Sequence, residues 1–218
     1  MSGKSLTYTE LRPSLKSGDG VMFIGTGIVS NAIGFFQMLT FALHPSNWKK
    51  GFIKKLLTKR FTHIGTVVVS KGRVMIFEST KLFNGKDGVQ LNAFSERVQS
   101  YKGRIAIRHL ECKRDIHFYN VLHRFIVNTL DIKYEKDVVE LIGAISILAH
   151  ALSGHQEDLS TIFCSELKSA LFKLWHFLAE SIPSNKYSPE DYNEGGEVDI
   201  QLRYSEKEVS QSKLVWVK

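Results

Sequence analysis

Two cysteines and eight histidines are the side chains in this 218-residue sequence best suited to nucleophilic or metal chemistry. One cysteine stands out by position. Cys164 lies in the run Phe163-Cys164-Ser165-Glu166-Leu167, near the start of a helix predicted from about Ile162 to Ser181. That helix is read from Phe163, Leu167, Ala170, Leu171, Leu174 and Leu178, which recur at helical spacing. Ser160 or Thr161 is the expected cap, which puts Cys164 in the first turn. There, free backbone N–H groups and the helix dipole favour thiolate over thiol, and the same N–H groups can stabilise an oxyanion. A free cysteine on a helix is also often just a small buried core residue. Cys112 follows a strand with no base nearby in sequence and reads as inert.

A thiol nucleophile needs a base, and the segments around residues 62–80 supply one. Thr62–Ser70 and Arg73–Thr80 are rich in β-formers and meet at Lys71-Gly72, a compact hairpin signal. A two-residue loop sets Gly65 opposite Glu78 and His63 opposite Thr80. Alternation then places His63, Gly65, Val67 and Val69 on one face with Val74, Ile76, Glu78 and Thr80. His63 and Glu78 become diagonal neighbours, with room left between them by Gly65. Taken alone, such a pair can be purely structural. With Cys164 it supplies nucleophile, base and orienting acid, the logic of a catalytic triad. A one-residue change of register would separate the pair.

Other candidates carry less. The remaining histidines (44, 109, 117, 123, 150, 155 and 176) lack metal-ligand spacing, so no metal site is expected. Gly25-Thr26-Gly27 is too short for a phosphate loop and lacks its lysine, and no cofactor is expected. Glu166 reads as a first-turn charge that suits the helix dipole, not as a general acid.

The elements that must position these groups read as α+β. Val21–Ile24, Val89–Phe94 and Arg104–Leu110 look like further strands, and Ile200–Tyr204 and Leu214–Val217 like short ones. Helices are expected over Arg114–Leu130 and Lys136–Leu152. Val21–Leu43 is 23 residues without a charge. It is long enough to raise a membrane span, but its glycines and polar residues suit a strand, loop and core helix better. The net charge of +7 is concentrated: Lys49, Lys50, Lys54, Lys55, Lys59 and Arg60, within residues 48–60, supply six of the seven excess charges. As a helix this segment puts Trp48, Phe52, Ile53, Leu56 and Leu57 along one stripe. That suits an anionic membrane surface, or else an ordinary solvated surface helix. It offers charge but little means of reading bases, which argues against a nucleic-acid partner. The opening MSGKSLTYTE carries no secretory pattern, and two cysteines make no disulfide framework. The expected setting is cytoplasmic, with peripheral membrane contact open.

Three segments, Phe61-Thr62-His63-Ile64-Gly65, Phe77-Glu78-Ser79-Thr80 and Phe163-Cys164-Ser165-Glu166-Leu167, together resemble the permuted branch of the NlpC/P60 papain-like superfamily, of the YiiX/YaeF type with poxvirus relatives. Gly18-Asp19-Gly20-Val21-Met22-Phe23, Gly103 to Arg108 and Pro183 to Tyr192 are similar in looser ways. The resemblance implies a circularly permuted papain-like fold over residues 1–218: an antiparallel sheet or partial barrel packed on the helix bearing Cys164. It leaves a basic insertion at about 28–60 and an unassigned tail at about 193–218. It implies a hydrolase acting on amide or ester bonds of peptide-like or acyl-lipid substrates through a covalent acyl-enzyme, with Cys164, His63 and Glu78 as catalytic residues. Acyl transfer on lipids, or a non-catalytic membrane adaptor that keeps the fold, are the alternatives.

Overall fold

A computed structural model of the chain describes residues 5–25, 61–83, 86–130, 159–205 and 208–218. The basic segment 48–60, the uncharged stretch beyond residue 25 and the helix expected at 136–152 lie outside the described residues.

Strand β1 (Ser5–Leu6) leads into the short helix α1 (Tyr8–Leu11). Thr7 caps α1 through a reciprocal box with Glu10, which satisfies two backbone N–H groups at its start. Five longer strands follow: β2 (Gly20–Ile24), β3 (His63–Ser70), β4 (Arg73–Phe83), β5 (Lys86–Ala93) and β6 (Arg104–Arg108). Helix α2 (Phe94–Ser100) connects β5 to β6. After the two-residue strand β7 (Leu110–Glu111) come helices α3 (Ile116–Thr129), α4 (Leu159–Leu174) and α5 (Glu197–Tyr204). The chain then adds β8 (Ser210–Gln211) and β9 (Val215–Val217).

Seven strands form one sheet in the order β1-β9-β6-β2-β3-β4-β5. Every pair is antiparallel except β1 with β9, so the sheet is mixed and not wholly antiparallel as expected. Alternation along the strands divides the core into two layers. Val21, Phe23, Val67, Ile76, Ile105 and Ile107 pack with Leu11 of α1 and Phe94 of α2 on one face. Met22, Ile64, Val68, Phe77 and Ala106 pack with α3, α4 and residues 187–209 on the other. The ring of Trp175, just past α4, stacks on Phe118 of α3 with centroids 4.2 Å apart. Its indole N–H donates to the Phe118 carbonyl at 3.1 Å, so a large buried ring leaves no polar atom stranded.

The hairpin between β3 and β4 has the expected register, from Thr66↔Phe77 to Ser70↔Arg73. Lys71 and Gly72 both take positive φ, +48° and +73°, the pairing that lets a two-residue turn match strand twist.

Three expectations change. Residues 200–204 are helical and not a strand, because Val198 and Leu202, four apart, share the buried face of α5. Helix α4 begins at Leu159 and ends at Leu174, earlier at both ends than its apolar periodicity suggested. Its stop is a left-handed His176 at φ +58°, with the 176 N–H bonded to the Lys173 carbonyl and the 177 N–H to the Phe172 carbonyl. The tail beyond 193, left unassigned by the resemblance, supplies α5, β8 and β9, the last within the strand expected at Leu214–Val217, and so belongs to the core and the sheet.

Candidate active site

His63 is the first residue of β3, and what precedes it is held on both sides. The Phe61 N–H donates to Glu190 Oε2 at 3.0 Å, and the Thr62 N–H to the Phe23 carbonyl at 2.9 Å. The imidazole rests against the Phe23 ring, centroids 5.1 Å apart. Its Nε2 lies 2.7 Å from Glu78 Oε2 on β4, as the diagonal register expected. The space beside Gly65 is filled rather than empty. A Cβ there would stand 2.6 Å from Ile76 Cδ1 and 3.3 Å from the Glu78 Cβ. Any larger residue would push Ile76 or Glu78 away.

Glu78 has no solvent exposure, yet it is ionised. Burial raises its carboxyl pKa, but the hydrogen bond and charge of His63, joined by Arg97, outweigh that and leave it below the usual value. Arg97, on α2, bonds both carboxylate oxygens through Nε, at 2.9 and 3.2 Å. The Asn92 amide reaches Oε1 at 3.4 Å. Arg97 also lies over the Phe23 ring at 4.9 Å and the Tyr101 ring at 5.2 Å, so its flat guanidinium rests against a pair of rings as well as being paired.

Cys164 is buried at 3% exposure on α4 and hydrogen-bonds the His63 imidazole. Because Glu78 holds Nε2, Nδ1 is the nitrogen left for the thiol. Burial alone would lower the imidazole pKa. The electrostatic interaction and hydrogen bond of Cys164, followed by those of Glu78, reverse this and push His63 up to about 9. The three residues singled out from sequence therefore meet. One detail differs: with α4 starting at Leu159, Cys164 sits in the second turn. It lies past the first four N–H groups, the ones without intrahelical partners. Cys112 is partly buried, and burial raises its thiol pKa despite nearby Arg114.

Glu166 is not the first-turn charge expected, since the helix starts at Leu159 and places it in the third turn. It is 4% exposed, and burial pushes its carboxyl up to about 7. Lys168, one turn beyond Cys164, is also buried. Its Nζ donates to Thr66 Oγ1 at 3.2 Å and lies 3.5 Å from the Gly18 carbonyl. Neither Arg97 nor Lys168 was singled out from sequence. Arg97 falls three residues after Phe94, on the stripe that docks α2 against the sheet, and that spacing was the available signal. Lys168 sits among the apolar positions of α4, where a lysine reads as a surface residue.

Among the described residues, no cluster of three or more His, Cys, Asp or Glu side chains is arranged to hold a metal ion. No helix among them is long and apolar enough to cross a membrane.

No protein-family profile and no curated protein sequence matches the chain. Among solved structures it is similar to the crystal structure of metalloprotein yiiX from Escherichia coli O157:H7, at 16% identity with a TM-score of 0.42. The match covers 72% of this chain and 64% of that one, so the chain spans under two thirds of its neighbour's length.

Proposed function

We propose that the chain is a cysteine hydrolase in which Cys164 is the nucleophile, His63 its base and Glu78 the residue that orients the base. The observation that carries this reading is the single imidazole bonded on one side by Glu78 at 2.7 Å and on the other by Cys164. A structural His–Glu pair needs no buried thiol on its second nitrogen. The order His63, Glu78, Cys164 along the chain, and a sheet packed on the helix that bears the cysteine, suit a permuted papain-like arrangement.

The chemistry follows from the groups present. The thiolate attacks the carbonyl carbon of an amide or ester, and a tetrahedral oxyanion forms. Its collapse breaks the bond to the leaving amine or alcohol, which takes the proton held by His63. A thioester to Cys164 remains. Neutral His63 then removes a proton from water as its oxygen attacks the thioester, releasing the acid and returning the proton to the Cys164–His63 pair. A second acceptor in place of water would make the reaction acyl transfer. Peptide-like and acyl-lipid carbonyls are the substrate classes proposed.

The test pairs a probe with a screen. Chloroacetamide at neutral pH should modify Cys164 faster than Cys112. Peptide, acyl-amide and lysolipid substrates are then offered to wild type and Cys164→Ala. Turnover of one class, lost in the alanine variant with the fold intact, supports the reading. Equal labelling of both cysteines, with no turnover, overturns it.

A further inference from the structure

Glu78 is bonded by two cations at once, and only one of them has a part in the proposed chemistry. His63 Nε2 lies 2.7 Å from Oε2, and Arg97 Nε lies 3.2 Å from the same oxygen and 2.9 Å from Oε1. The carboxylate has no exposure, and the Arg97 side chain is only 10% exposed. Little water is present to screen either contact, and the two cations sit within one carboxylate's width of each other.

The signs alternate from His63 outward: imidazolium of His63, carboxylate of Glu78, guanidinium of Arg97. Without the guanidinium, the Glu78 carboxylate would act on His63 with nothing to offset its charge. An imidazolium so placed holds its proton too firmly to pass it to a leaving group.

We propose that Arg97 is a positioning residue of the site, a fixed positive charge that offsets Glu78 so that the carboxylate can orient His63 without binding its proton too tightly. The inference rests on the cysteine-hydrolase reading. Its geometry fits two demands at once. Arg97 reaches both oxygens, which fixes the plane of the carboxylate. Its contact with both the Phe23 and Tyr101 rings fixes the guanidinium in turn. Among the described residues, the charged and titratable groups facing this array are Cys164 from α4, Glu78 from β4, Arg97 from α2, and Tyr101 just after α2. Burial raises the Tyr101 phenol pKa, so that group stays neutral across the working range.

The test is an NMR titration of the His63 ring, assigned by its loss in His63→Ala, in wild type, Arg97→Lys and Arg97→Gln. Removing the guanidinium charge should raise the His63 midpoint by about one pH unit, while Arg97→Lys stays near wild type. A lowered or unmoved midpoint in Arg97→Gln overturns the proposal, since a merely structural arginine would let Glu78 drift away and the imidazole relax downward. If Arg97→Gln does not fold, Glu78→Gln and Glu78→Gln/Arg97→Gln give the same comparison without an unpaired buried carboxylate. The double variant must then titrate higher than the single one. A wild-type midpoint near 6.5, the ordinary histidine value, overturns the cysteine-hydrolase reading together with this inference. A high wild-type midpoint that Arg97 does not affect overturns this inference alone.

Discussion

An imidazole whose pKa stands at about 9 remains a proton donor across the physiological range, and loses that capacity only as the pH climbs past it. The kcat/KM profile of the proposed hydrolytic activity should therefore show an alkaline limb near pH 9. A limb near 6.5 would mean that Cys164 and Glu78 do not hold the proton on His63. His63→Ala should cost about 10²–10⁴-fold in rate, and Glu78→Gln less, because an amide can still accept from the ring. Lys168 poses the opposite problem. Burial pulls its ammonium down to about 7, with Asp19 only partly opposing, so the folded chain releases a proton that the unfolded chain keeps up to about 10.4. Between those values the unfolded state binds more protons, and Lys168 contributes stability that grows with pH. His63 runs the other way: its contribution is full below about 6.5 and is lost as the pH rises through 9. Lys168→Met should therefore raise the Tm most at pH 6 and least at pH 10, as read by calorimetry. A lower Tm at pH 6 would show that Thr66 and the Gly18 carbonyl fully compensate the buried charge. The His63–Glu78 contact was legible in sequence because strand alternation and a short turn bring the two together locally. Arg97 was not, because its partner lies across a helix docking that no local pattern encodes.

Elements differ in how much of their placement the sequence carries. The β3–β4 hairpin depends on neighbours only, and its register was legible to the residue because Lys71-Gly72 admits one turn length. The site inherits that register, since a slip of one residue would send His63 and Glu78 to opposite faces. Gly72 adopts φ +73° with open space around it, and Lys71 adopts φ +48°. Gly72→Ala should cost about 1 kcal/mol through backbone strain alone, whereas Lys71→Asn should be neutral or slightly stabilising. Urea denaturation measures both, and a loss well above 2 kcal/mol for Gly72→Ala would mean that the turn had rearranged. The ends of α4 were not legible. Its apolar spacing continues through Leu178, but the chain turns back at His176, and nothing marks a non-glycine left-handed stop in advance. Residues 200–204 were misread for a related reason: five residues are too few to separate a period of two from one of three to four.

At the scale of the whole molecule, Arg108 joins the central sheet to the C-terminal segment. Its guanidinium donates to the carbonyls of Tyr192, Gln211 and Ser212 and to Asp199 Oδ1 at 2.7 Å, with 1% exposure. Arg108→Met should destabilise the fold by about 3–5 kcal/mol by leaving Asp199 buried without its partner. Urea unfolding that shifts by less than 1 kcal/mol would mean that Arg203, which bonds Asp199 Oδ2 at 2.7 Å, carries the charge by itself. The same segment brings β9 to the open side of β6, more than a hundred residues after β6 has been made. During synthesis, β6 therefore emerges from the ribosome with one row of backbone groups unmatched and waits for most of the remaining chain. A pairing so distant in sequence is slow to form, and an unpaired strand invites the same strand of a neighbouring nascent chain. The sheet that holds the catalytic candidates is thus completed last at the side away from them, and yield in the cell will depend on how well that waiting edge is shielded.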